Sequence, residues 1–97
     1  MTKDLAHEPG LRRYVLRLDG KTACVIDYRE LGDTIAFVRT FTNPPYRGSG
    51  LAAELVRFAV DDVEQRTQLR IVPSCWYVDQ WFDRHPDRRH LLDPRTA

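Results

Sequence analysis

The stretch Phe37-Val-Arg-Thr-Phe-Thr-Asn-Pro-Pro-Tyr-Arg-Gly-Ser-Gly-Leu-Ala52 decides the fold. Phe37 to Thr42 is β-branched and aromatic, which predicts a strand. Asn43-Pro44-Pro45 ends it, because two prolines remove two ladder donors. Arg47-Gly48-Ser49-Gly50 is a short loop of small residues. Leu51, Leu55, Val56, Ala59, Val60 and Val63 then recur at helical spacing, which predicts a helix from Ser49 or Gly50 to about Gln65. A helix start offers unpaired N–H groups and a partial positive charge, which suit an anion. Glycines let the backbone approach that anion, and Arg47 adds a guanidinium suited to phosphate. The loop therefore reads as a phosphate cradle, or as a connection whose glycines only satisfy turn geometry.

Working outward, Tyr14, Leu16 and Leu18 alternate and predict a half-buried strand over Arg13 to Leu18. Asp19-Gly20 is a hairpin signal, and Thr22 to Tyr28 returns as the second strand. Arg29 to Asp33 turns into the third strand, Thr34 to Thr42. Beyond the helix, Leu69 to Val72 predicts a fourth strand, parallel to the third because a crossover helix joins them. Trp76 to Arg84 places Trp81 and Phe82 on one stripe of a second helix, which Pro86 stops. Leu91-Leu92 packs back. Residues 1 to 11 and 93 to 97 read as loose tails. The fold class is α+β: a mixed sheet of about four strands, an antiparallel meander and then a parallel strand, with two helices.

Ninety-seven residues make one domain, 1 to 97, with a single thin core. Apolar content of 42% and charged content of 30% are ordinary for a globular chain. The formal charge of +1 implies no polyanion partner, so no nucleic acid is expected. Cys24 and Cys75 are too few for a disulfide scaffold. No apolar run reaches about 18 residues, so no membrane partner is expected. With no signal-peptide pattern, the expected location is cytoplasmic. Cysteines and histidines show no metal-ligand spacing, so no metal is expected.

No Gly-x-x-x-x-Gly-Lys-Ser/Thr is present, and Ala53 stands where a dinucleotide-binding Gly-x-Gly-x-x-Gly would end. A third pattern fits. Arg47-Gly48-Ser49-Gly50-Leu51-Ala52 resembles the Arg/Gln-x-x-Gly-x-Gly/Ala loop of the GNAT superfamily of N-acetyltransferases. Thr42-Asn43-Pro44-Pro45-Tyr46 resembles that family's approach to the loop. Over Tyr14 to Leu92 the chain resembles the small GNAT-like proteins of the YjdJ type. The matching stretches are Arg39-Thr40-Phe41-Thr42, Pro73-Ser74-Cys75-Trp76-Tyr77 and Arg84-His85-Pro86-Asp87.

The resemblance implies a minimal GNAT-like fold without the usual first two helices, and acyl transfer from acetyl-coenzyme A to an amine, small or on a protein. It implies that Arg47, Gly48, Ser49, Gly50, Leu51 and Ala52 hold the pyrophosphate. Backbone groups of Phe41 and Thr42 would pair with the pantetheine arm. Cys75 or Tyr77 would protonate the departing thiolate, or Cys75 would take up the acyl group. Each has a plainer alternative: Cys75 as a small buried hydrophobe, Tyr77 as a packing aromatic. The family's usual strand histidine is Arg39 here, so the resemblance names no general base. A monomer or weak homodimer is expected. The rival reading is a non-catalytic coenzyme A binder or interaction module.

Overall fold

The computed structural model describes residues 2–95. Five strands form one sheet in chain order: β1 Lys3–Glu8, β2 Arg13–Leu18, β3 Lys21–Leu31, β4 Thr34–Thr42 and β5 Arg70–Val72. The first four are antiparallel neighbours; β4 and β5 are parallel. Helix α1, Leu51–Arg66, joins β4 to β5, and α2, Trp76–Asp83, follows β5. Short 3-10 turns cover Pro9–Leu11, Pro44–Tyr46 and Pro86–Leu91.

The meander, the parallel strand and both helices match expectation to within a few residues. The fifth strand does not: residues 1 to 11 were expected to be loose. Lys3 to Glu8 instead pairs with β2, Ala6 opposite Val15 and His7 opposite Tyr14. Its polar sequence hides this because β1 is an edge strand, inserting only Leu5 and His7 among apolar neighbours. The C-terminal tail is likewise pinned. Asp93 is buried, its N–H donates to Ile71 O at 2.8 Å, and its carboxylate accepts from Arg95 Nε at 2.9 Å. Arg95 then reaches Asp33 at 3.0 Å. Thr96 and Ala97 lie outside the described residues.

One core holds the molecule together. Tyr14, Leu16, Cys24, Ile26 and Phe37 point to one sheet face, where they meet Leu55, Val56, Ala59 and Val60 of α1. Val78, Trp81 and Phe82 of α2 join the same cluster, and Arg57 of α1 lies over Trp81, 5.9 Å from the ring centroid. The other face has no helix. Its middle row, Ala6–Val15–Val25–Phe41, runs across four strands. Glu8 with Arg13 and Arg17, and Asp27 with Arg39, flank it as ion pairs.

Two features of β4 position the site. The register against β3 slips between Asp27 and Tyr28, which makes Val38 an extra, bulged residue. And β5 pairs only with Thr34 to Ala36. One more bond, from Cys75 N–H to Phe37 O at 2.9 Å, ties the following chain to β4 before α2 turns away. Beyond it, β4 has no strand neighbour on that side.

Candidate functional site

The open side of β4 can be read from hydrogen-bond alternation. Asn43 N–H donates to Ala23 O, so Val25 and Phe41, two residues on, are also a hydrogen-bonded pair. The main-chain groups of Phe41 therefore point into the sheet, and those of Thr40 and Thr42 point into the gap left by β5. The main chain of Phe41, expected to pair with the pantetheine arm together with that of Thr42, is thus turned toward β3. Its backbone serves the β3 ladder and its ring lies on the other face under Arg39, 5.1 Å from the guanidinium. Thr42 faces the gap, and its carbonyl accepts from Arg47 Nε at 3.2 Å.

At the far end of the gap stands the glycine loop. Gly48 and Gly50 have φ of 84° and 79°, a left-handed backbone that a side chain strains. Gly50 is the N-cap of α1 and no side chain caps the helix, so the first-turn N–H groups stay open. Ser49 is turned inward, donating its hydroxyl to Tyr46 O at 2.7 Å. Arg47 keeps its terminal guanidinium nitrogens free of carboxylates among the described residues. A cavity of about 350 Å³ lies here, bounded by Thr42, Arg47, Gly48, Gly50, Ala52 and Tyr77. The structure thus brings Tyr77 to the loop, nearly thirty residues back in the chain.

Cys75 is the next step along the gap. It is the N-cap residue of α2 and is buried. As a thiol it donates to Thr40 Oγ1 at 3.5 Å. Burial alone would raise its pKa. The Thr40 hydroxyl and the amides of Tyr77, Val78 and Thr40 outweigh burial and hold the thiol below its usual value. Tyr77 goes the other way: burial, then the nearby Cys24, push its phenol up. Cys24 is packed in the core, 3.3 Å from Thr42 Oγ1, and burial raises its thiol too.

Thr40 is the residue that sequence reasoning missed. Strand alternation was the available signal, since Thr40 and Thr42 share a face two residues apart. Arg39 points away from Cys75 toward Asp27 at 3.4 Å and is a solvated strand residue. His85 stacks on Trp81 at 4.0 Å and donates from Nδ1 to Trp81 O at 2.7 Å, which is a helix-end role. Trp76, the first residue of α2, is 72% exposed beside Cys75. Among the described residues no group of three or more His, Cys, Asp or Glu is placed to hold a metal ion. No helix among them is long and apolar enough to cross a membrane.

Known proteins place this geometry. A solved structure of ribosomal-protein-alanine N-acetyltransferase from Brucella melitensis biovar Abortus 2308 superposes with a TM-score of 0.54 at 16% identity, over 75% of this chain and 61% of that one. A predicted acetyltransferase from Clostridium acetobutylicum, solved with acetyl-CoA, gives 0.49 at 14% identity, over 75% and 55%. The chain thus spans less than two thirds of either protein, and the likeness to the first is one of fold. No curated protein matches the chain. The family model described as GCN5-related N-acetyl-transferase matches residues 13–91 of the 97. A strand that splits from its parallel neighbour, a glycine loop and a helix start facing the split are thus features of a chain that belongs to the GCN5-related N-acetyl-transferase family.

Proposed function

We propose that the protein transfers an acetyl group from acetyl-coenzyme A to an amine. One observation carries the reading: the open amides at Gly48 and Gly50 share a cavity with Thr42 at the free edge of β4, and on the same strand Thr40 contacts a thiol whose acidity is raised by its surroundings. In this reading the pyrophosphate rests on residues 47 to 52. The pantetheine arm runs along Thr42 and Thr40, replacing the strand partner that β4 lacks.

The neutral amine attacks the thioester carbon. An N–H on the free edge of β4 stabilises the oxyanion that forms. The C–S bond then breaks, and the coenzyme thiolate takes the proton of Cys75. The amine's surplus proton passes to water, and a second one from water restores the thiol. A thiol held below its usual pKa can serve as an acid or, once deprotonated, as a nucleophile; with the amine attacking the thioester directly, Cys75 takes the part of the acid. Tyr77 stays protonated and donates a hydrogen bond to the leaving sulfur.

The acceptor is an amine on a bulky carrier such as a protein. Only residues 9 to 12, the Pro9–Leu11 turn and Arg12, connect β1 and β2, so no helix pair rises there to wall the gap. Incubation with acetyl-coenzyme A and a panel of amines, following free thiol, tests the reaction. Turnover with small free amines alone would sink the acceptor assignment. Donor binding without thiol release under any condition would leave the rival reading, a non-catalytic coenzyme A binder. The one observation on that side is Arg39, which leaves no basic imidazole at the gap.

A further inference from the structure

A second cavity, about 530 Å³, lies on the other side of the glycine loop. It opens between the β2–β3 hairpin and the Pro44–Tyr46 turn. Tyr46 and Leu51 belong to the walls of both cavities, so the two meet across the start of α1. Their chemistry differs. The first is bounded by the glycine loop, Thr42 and Tyr77. The second is walled by Leu18, Pro45, Tyr46 and Leu51, with Lys3 and Lys21 at its rim.

Those two are the only lysines in the chain. Lys3 is held by Glu54 of α1 at 2.9 Å. Lys21, the exposed first residue of β3, has no carboxylate partner among the described residues. Asp19, the remaining acid on the rim, takes the Thr2 N–H at 2.8 Å on one oxygen and has its other oxygen open. An aromatic and aliphatic slot, a free ammonium and an open carboxylate oxygen suit three parts of one group. A flat base fits the slot, a base amine donates to Asp19, and a phosphate on the sugar meets Lys21.

We infer that this cavity takes the base and the phosphorylated ribose of the acyl donor, which therefore straddles the loop with its pantetheine arm in the opposite cavity. The inference rests on the donor reading above. It names where the nucleotide end lies and which side chain reads the ribose phosphate.

Coenzyme A and dephospho-coenzyme A differ only in that phosphate. Titration calorimetry at low salt on the wild type, K21A and K21E separates the possibilities. The wild type should bind coenzyme A about tenfold more tightly than the dephospho form, as one charge-assisted contact supplies. K21A should erase most of that preference and leave dephospho-coenzyme A within about twofold. K21E should weaken coenzyme A further. An unchanged melting temperature in K21A shows that the fold is kept. Wild-type preference that survives in both variants overturns the inference while sparing the donor reading. A wild type without preference does the same. A wild type that binds neither ligand overturns both.

Discussion

The acidity of Cys75 is a balance between burial and four hydrogen-bonding groups. If the thiol is the acid, C75S should lower kcat about ten- to a hundredfold with little change in KM for the donor. The wild-type rate should fall on the alkaline side below the usual thiol pKa, because the acid must be protonated. That limb should disappear in C75S. Equal losses in kcat and donor binding would point to a structural cysteine. At Gly50 a matched control is available. Gly32, in the β3–β4 turn, has φ of 60° against 79°, and an added Cβ would meet no atom within 4 Å at either site. Both alanine variants should lose about 1–2 kcal/mol of stability to the same backbone strain. Only Gly50→Ala should also weaken the acyl donor; equal donor affinity in the two variants would count against the loop as a cradle. Sequence was sufficient for the loop because Gly, Ser and Arg carry their reason locally. Phe41 and Thr42 were harder. Which of two adjacent residues faces a gap depends on the phase of the ladder, and that phase is set across the sheet at Asn43 and Ala23.

At the scale of elements, β1 shows what a sequence hides. Its hold on the sheet centres on His7, which no local pattern reveals. His7 stacks on Tyr14 at 4.5 Å and shares a 2.6 Å hydrogen bond with Tyr28 Oη. Asp62 of α1 lies 3.7 Å from its Nδ1 and accepts from Tyr14 Oη at 2.6 Å. Burial and the positive Arg66 lower its pKa, against the opposing pull of Asp62 and Glu30. A depressed folded-state pKa means that the unfolded chain binds the proton better. Stability is therefore full above the ordinary value of 6.5 and falls as the pH drops through the folded-state pKa. Urea unfolding at neutral pH and near pH 5 should show a lower midpoint in acid. H7Q should remove part of that difference; an unchanged slope would remove His7 from the account. Helices were easier to foresee, since the stripe from Leu51 to Val63 is buried as its spacing implies. Trp76 was not, because a helix of eight residues has room for only one apolar stripe, and Val78, Trp81 and Phe82 occupy it.

For the molecule as a whole, donor binding and folding are linked. A ligand that binds only the native state adds about 2.7 kcal/mol at a hundredfold excess over Kd. A chain of this size gains about 4–8 °C per kcal/mol. Saturating acetyl-coenzyme A should thus raise the melting temperature by about 10–20 °C. A shift within a degree or two at millimolar ligand would remove the donor from the picture. Fold class was legible because every element but β1 signals itself and the order strand–helix–strand dictates a parallel pair. The extent of pairing was not: β5 covers three residues of a nine-residue neighbour, and nothing in Leu69 to Val72 says where the two part. That short overlap leaves β4 with one zipped margin and one bare. Next to its sheltered companions, such a strand should take up deuterium unevenly, fast at Thr40 and Thr42 and slowly at Phe41. Whatever molecule lies along the bare margin should bring the three rates together.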